Sequence, residues 1–241
     1  MSSSRLPGKV LLDLEGKPLI QRVIDNVLCS NVDQIVVATT TNPKDDKLAK
    51  WCKGNSISFF RGSENNVLER YFECAKSYAA DIVVRVTADD PFKDSNVINK
   101  AIDILLRSKY DYVSNTIRPT FPEGLDIEVF TFNALDKCYK NATLYSEKEH
   151  VTPYIWKNNK IFSLHNFIHE EDLSSLRWTI DYKEDLNFSK GVYKHLKHKK
   201  CLLMEDILII LKRYPKLNDL KKVVSRNEGY IETIREERID D

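Results

Sequence analysis

The 241-residue sequence has no excess of charge of either sign: 37 Lys and Arg against 36 Asp and Glu leave a net charge of +1. That balance gives no bulk electrostatic reason to expect DNA, RNA or an anionic membrane as a partner. No apolar run approaches the roughly 20 residues of a membrane span. The opening Met1-Ser-Ser-Ser-Arg-Leu-Pro-Gly-Lys9 has no apolar centre of the kind a secretion signal needs. There is no C-x-x-C pair either, because Cys29, Cys52, Cys74, Cys138 and Cys201 are widely scattered. Zinc or dithiol chemistry is therefore not expected, and an odd, dispersed set of cysteines fits reduced thiols in a cytoplasm. The patterns G-x-x-x-x-G-K-[ST], G-x-G-x-x-G and G-x-S-x-G are all missing. Their absence sets aside a Walker loop, a Rossmann dinucleotide site and a serine-hydrolase elbow.

What is present alternates. Short β-branched runs at Gln34–Ala38, Ile82–Val86 and Tyr110–Val113 read as buried parallel strands. Between them lie segments of helical period: Leu19, Ile20, Val23, Ile24, Val27 and Leu28 after Pro18; a second helix opened by Asn42-Pro43; then Val67–Ala75 and Val97–Leu105. Strands alternating with helices predict βαβ units and a sheet covered on both faces. After Ser114 the pattern changes. Leu125-Asp-Ile-Glu-Val-Phe130 alternates apolar with acidic residues and predicts a strand with one polar face. Ile161–Phe167 and Arg177–Ile180 are further predicted strands, Lys183–Leu196 and Glu205–Tyr214 predicted helices. The charged tail from Ser225 reads as a solvated helix or a frayed end.

The first stretch carries the strongest chemical hint. Small residues, Ser3 and Ser4 among them, with Gly8 allow backbone amides to approach a polyphosphate, and Arg5 and Lys9 add positive charge. Composition alone would equally suit a surface turn. Asp89 and Asp90 end a predicted strand, where carboxylates suit Mg²⁺ or simply terminate the strand before Pro91. Asp126 and Glu128, two apart, fall on one strand face and can grip a polar ligand or face solvent. His150 is a candidate general base, or a structural hydrogen-bonding group.

The order of motifs says more. Ser3-Ser-Arg-Leu-Pro-Gly-Lys9 followed by Gly16-Lys-Pro-Leu-Ile20 resembles the signature of the sugar-activating cytidylyltransferases, which include the enzymes making CMP-sialic acid and CMP-KDO, and within them the SpsF-like branch of spore-coat polysaccharide biosynthesis. The resemblance extends through Asn66–Tyr71, Val84-Arg-Val-Thr-Ala-Asp-Asp-Pro91, Gly124–Phe130, Glu149–Tyr154 and Arg177-Trp-Thr-Ile-Asp181. It implies a three-layer α/β fold of the nucleotide-diphospho-sugar transferase type, glycosyltransferase A-like and Rossmann-like. Its ligands would sit beyond the carboxyl ends of parallel strands. A nucleotidyltransferase domain over 1–200 and a helical extension over 201–241 are expected.

The resemblance also implies site residues. CTP would lie over the opening loop, held by Ser3, Ser4, Arg5 and Lys9, with Lys17 as a lesser contributor. Thr39, Thr40 and Arg61-Gly62 would approach the base and ribose, although the threonines also read as ordinary strand-end polarity. Asp89 and Asp181 would hold Mg²⁺, with Asp90 the weaker choice. Arg5, Lys9 and Asp89 would form the catalytic set. Arg118, Asp126, Glu128, Glu149 and His150 would shape the site for an acidic sugar acceptor. A homodimer is implied as well.

Members of the family normally carry a strand and a Q-A-R turn ahead of S-S-R-L-P-G-K. Neither stands before Ser2, so the fold is expected to lack the usual first strand through an upstream start codon or a truncated copy. A shortened binding or assembly protein, and a same-fold transferase using another nucleotide, are the competing expectations.

Overall fold

In the computed structural model, residues 5–221 and 224–240 are described, the last three of them by backbone alone. Two helical starts show how local sequence sets the fold. Pro18 fixes the entry to α1 (Leu19–Val27), whose Leu19, Ile20, Val23, Ile24 and Val27 are all buried. Asn42 caps a short 3₁₀ turn at Pro43–Asp45 by accepting from the Lys44 amide, and that turn runs into α2 (Asp46–Gly54).

Two parallel strands, β1 (Val37–Thr40) and β2 (Phe59–Gly62), pair through Val37–Phe59 to Thr40–Gly62. Next come α3 (Val67–Ser77), capped by Asn66, then β3 (Ile82–Arg85) and α4 (Ser95–Ser108), capped by Asp94. β4 (Tyr112–Ser114) and β5 (Glu128–Thr131) lead into α5 (Phe132–Asn141) and two short helices, α6 (Tyr145–His150) and α7 (Pro153–Lys157). β6 (Leu164–Asn166) is followed by α8 (Lys183–Leu196), α9 (Met204–Arg213) and α10 (Glu228–Asp240). The second sheet runs β3-β5-β4-β6, with β5 antiparallel to both neighbours and β4 parallel to β6. Among the described residues β1 and β3 are not joined, so the strands form a pair and a group of four. β4 is wholly buried and β5 nearly so, while every residue of β3 is only half-buried.

Four expectations need correction. Ile82–Val86 reads as a buried parallel strand, yet β3 is half-buried at the sheet edge and antiparallel to β5. The alternation over Leu125–Phe130 predicts a strand with a solvated face, yet the strand begins only at Glu128 and is buried between β3 and β4. Its acids point into a cavity, which gives the same alternation as a wet face. Arg177–Ile180 is not a strand. It forms one bridge, Glu123 to Arg177, made by the Glu123 amide to the Leu176 carbonyl and the Trp178 amide to the Glu123 carbonyl, and the Ile180 amide goes to the Asp89 carbonyl. The cysteines are not all reduced. Cys29, just beyond α1, and Cys201, just before α9, are disulfide-bonded with Cα atoms 6.0 Å apart. They are separated by 172 residues, so sequence spacing holds no trace of the pairing. Cys52, Cys74 and Cys138 are buried free thiols.

The main core runs from α1 and α4 through β4 and β5 to Trp178, α8 and α9. Phe92, Trp178, Phe188 and Tyr193 form its aromatic centre. No helix among the described residues is long and apolar enough to cross a membrane.

Candidate active site

Where β3 ends, the chain turns through Thr87–Asp90 and faces the Gly8–Lys9 turn. Gly8 takes the left-handed conformation (φ 70°) and starts a 3₁₀ turn at Lys9–Leu11. Lys9 thereby projects between two distant segments. Its Nζ donates to Asp89 Oδ2 at 2.6 Å, Asp181 Oδ1 at 2.9 Å and the Ile180 carbonyl at 2.9 Å. Arg5 donates to Asp181 at 3.0 Å and to Glu228 at 2.7 Å. Arg177 completes the group, donating to Asp181 at 3.0 Å and Asp185 at 2.6 Å.

The electrostatics follow from this crowding. Burial alone would depress the Lys9 ammonium, but Asp89 and Asp181 overcome it and hold the pKa above the usual lysine value. Burial would raise the Asp181 carboxyl, yet Lys9, Arg5 and Arg177 hold it below the ordinary range.

Asp89 and Asp181 open onto a cavity of about 420 Å³ with Arg5, Arg85, Asp126, Glu128 and His150 in its walls. Seven carboxylates line it (Asp89, Asp90, Glu123, Asp126, Glu128, Asp181 and Glu228) against three arginines, Arg5, Arg85 and Arg177. Burial is the first cause holding Asp126 and Glu123 above the ordinary carboxylate range. Glu128, at the floor, accepts from Arg85, from Tyr112 at 2.7 Å and from Thr152. Asp90 accepts from Thr87 and from the fully buried Lys93, which also caps the Asp126 carbonyl at 2.7 Å. Those bonds make Asp90 a brace for the turn.

The structure thus brings Arg5, Lys9, Asp89, Asp126, Glu128, His150 and Asp181 to one place. Other candidates lie apart from the cavity wall. Lys17 is exposed and pairs with Asp25 at 2.6 Å. The Thr39 and Thr40 hydroxyls both donate to Asp45, holding its carboxyl far below normal despite burial. Arg61 braces the ends of β1 and β2, donating to the Thr40 and Asn42 carbonyls and pairing with Asp46. The Arg118 amide is bonded to Asn166, and Arg118 and Glu149 are outside the lining. Ser3 and Ser4 lie outside the described residues. His150 does not suit a general base. Burial first, then Arg85, lower its pKa to about 4, and its Nε2 is 3.0 Å from Thr233 Oγ1.

Sequence reasoning missed Arg85, Lys93, Glu123, Arg177, Arg226 and Glu228. Of these, Arg85 and Arg177 lie within the quoted motifs, and the others carry no local signal.

Asp89 and Asp181 also fit a magnesium ion. Their oxygens converge on one cation, Lys9 Nζ, and hard carboxylate oxygens are the donors that ion prefers. No group of three or more His, Cys, Asp or Glu side chains among the described residues makes an all-protein cage. Two carboxylates, with phosphates and water completing the shell, are the usual arrangement for Mg²⁺ in nucleotide sites.

An α/β fold in which carboxylates and cations from distant loops converge beyond the end of β3 is suited to binding a polyphosphate. The family model "Cytidylyltransferase" matches residues 1–232, and the chain belongs to that family. It is 35% identical to the uncharacterized protein MJ1063 of Methanocaldococcus jannaschii, covering 95% of this chain and 94% of that one. It is 29% identical to the spore coat polysaccharide biosynthesis protein SpsF of Bacillus subtilis, covering 89% and 92%. The solved structure of a cytidylyltransferase from Leptospira borgpetersenii superposes with a TM-score of 0.87 at 32% identity, over 93% of this chain and 95% of that one. The expected nucleotidyltransferase fold is thereby shown, and the protein is a CTP-dependent nucleotidyltransferase.

Proposed function

We propose that the enzyme transfers CMP from CTP to a hydroxyl of an acidic sugar, releasing pyrophosphate, in the synthesis of a surface polysaccharide. The observation that carries this reading is the junction of Lys9 with Asp89 and Asp181 beside Arg5. Four charged groups from three distant segments meet where a triphosphate and its counter-ion need both signs. Likeness to SpsF supports the polysaccharide setting. A supply of CTP favours the cytoplasm, against which the Cys29–Cys201 disulfide counts.

In the reaction the acceptor oxygen bonds to the α-phosphorus as the bond to pyrophosphate breaks. Such transfers depend on positioning and charge neutralisation. Lys9 and Arg5 hold the phosphates and offset charge on the departing pyrophosphate. Asp89 and Asp181 would hold magnesium, which would supply neutralisation of phosphate charge. The acceptor's proton passes to a cavity carboxylate, for which the raised Asp126 and Glu123 are suited.

Pyrophosphate release tests the reading. The full chain is incubated with Mg²⁺, each of CTP, UTP, GTP and ATP, and a panel of sugar acids, neutral sugars and sugar phosphates. Release with CTP and a sugar acid is expected. Release with another nucleotide only, or silence together with no stabilisation by CTP, would sink it.

A further inference from the structure

The C-terminal stretch, expected to be a solvated end, is fastened across the cavity, from Arg5 beside the Lys9 junction to His150. Arg226 donates to the Phe121 carbonyl at 3.0 Å and to Asp126. The Asn227 amide reaches Glu123 at 2.8 Å, and Glu228 accepts from Tyr182 at 2.8 Å as well as from Arg5. Further along α10, Thr233 meets His150, and Glu237 accepts from the Ser146 amide. Four of these partners, Arg5, Glu123, Asp126 and His150, line the cavity themselves. The site therefore sets the position of the segment, and Ser225, Asn227, Glu228, Gly229 and Tyr230 become part of the wall.

Tyr230 closes this end. Its ring stands 5.9 Å from Trp156 at 69° and 5.1 Å from His150 at 88°. With His150 held neutral by its surroundings, these rings form an aromatic corner in a cavity otherwise lined by carboxylates and arginines, and the Lys157 ammonium lies 5.6 Å from the Trp156 ring centre and 6.0 Å from that of Tyr230. Aromatic faces attract C–H edges and apolar ring faces. A flat pyrimidine is best served by parallel planes on either side, and rings meeting at steep angles do not provide them. A pyranose does fit such a corner, because it has an apolar face of C–H bonds and a rim of hydroxyls. Groups suited to that rim, Glu128, Thr152 and Asn227, stand in the same wall.

We propose that Tyr230 of α10 and Trp156 of α7 form the subsite for the acceptor's sugar ring, so that the C-terminal segment is a component of the binding site. The proposal rests on the reading that the acceptor is a sugar.

Tryptophan fluorescence reads the subsite directly, since Trp178 is fully buried and Trp51 belongs to a separate cluster on α2. The full chain is titrated with sugar acids, with neutral pyranoses, with CMP, and with CTP plus Mg²⁺, and nucleotide binding is followed separately by calorimetry. A saturable signal with at least one sugar is expected, absent in Trp156→Phe. Tyr230→Ala should weaken that sugar by about tenfold and Tyr230→Phe by less than about threefold, with CTP affinity moving less than about twofold in each. Retained α-helical circular dichroism, together with the Phe variant, separates loss of the corner from loss of α10. No signal with any sugar, a Trp156-dependent signal with CMP in place of sugar, or unchanged sugar affinity in Tyr230→Ala would overturn the proposal. A sugar signal in a protein that binds no CTP would uphold the subsite and remove the cytidylyl-transfer reading.

Discussion

Lys9 and Asp181 meet at 2.9 Å across 172 residues of sequence, and Asp89 shares the same ammonium at 2.6 Å. Replacing Lys9 by Met leaves two part-buried carboxylates facing each other, a loss of roughly 3 kcal/mol for a pair broken on one side only. The variant should unfold at lower temperature, and its pyrophosphate release should fall at least about 100-fold, as when a positioned electrostatic group is removed. The pH dependence has a definite sign. Asp181 is held below its ordinary value, so its contribution is complete above about pH 3.9 and lost as pH falls through the depressed value. Lys9 is held above its ordinary value, so its contribution is complete below about pH 10.4 and lost only as pH climbs through the raised one. A Lys9→Met protein with unchanged melting and turnover across that window would contradict the assignment.

Lys9 Nζ meets two acids and a carbonyl, while Arg5 meets Asp181, Glu228 and Glu232 and lies 5.4 Å from the Tyr182 ring centre; of these acids Glu228 and Glu232 belong to the C-terminal segment. A triphosphate reaching Arg5 competes with Glu228 for its guanidinium. Both side chains are part-exposed, 28% for Arg5 and 25% for Glu228, so solvent screens the pair and its strength is modest. Glu228→Gln should therefore tighten CTP binding by about threefold to fivefold. Calorimetry decides this, and weaker binding in the variant would show that Glu228 supports the nucleotide site.

Much of the fold was legible because it is locally encoded. α8 runs over Lys183–Leu196 as its period predicts, and α1 starts behind Pro18. Lys9, Asp89 and Asp181 stood out through motif order, and the structure joins them. What was hidden depends on pairs that no local pattern records. Arg5 with Glu228 spans 223 residues, Arg226 with Asp126 spans 100, and Cys29 with Cys201 spans 172. Arg177–Ile180 misled for a different reason. A β-branched, aromatic stretch marks burial in extended form, and here its partners are loops.

Gly124 lies between Glu123 and Asp126 with φ at 102°, in the region that favours glycine. An added Cβ would stand 3.0 Å from the Thr179 nitrogen and the Trp178 carbonyl carbon, both of them backbone atoms that have little room to retreat. Gly124→Ala should cost ~1–3 kcal/mol through strain. It should also shift Asp126 and the chain leading to Asp181, so turnover should fall in the folded fraction too. Urea unfolding with parallel assay of pyrophosphate release checks both, and a variant of wild-type stability would refute the strained-turn account.

His150 should titrate at about 4, because burial and then Arg85 disfavour its charged form. Since the depressed value lies below the ordinary one near 6.5, its contribution to stability is complete above about pH 6.5 and declines as pH falls toward the folded value. The pH–rate profile should show no His150 inflection between pH 5 and 8, and His150→Gln should leave its shape unchanged. An imidazole resonance assigned to His150 and titrating near 6.5 would restore it as a candidate base.

The disulfide predicts a chemical count that the scattered cysteines alone would not. With Cys29 joined to Cys201, denatured and unreduced protein should present three reactive thiols, from Cys52, Cys74 and Cys138. Reduction should raise the count to five. The bridge closes most of the chain into one loop and fastens the end of α1 to the approach to α9, two helices that share the main core. Reduction should lower unfolding free energy by about 2–4 kcal/mol, chiefly by freeing the unfolded chain. Neither cysteine lines the cavity, so CTP affinity should be the same in both redox states at temperatures where both are folded. Five thiols before reduction would show that the pair stands reduced, and the melting temperature should then be indifferent to reductant.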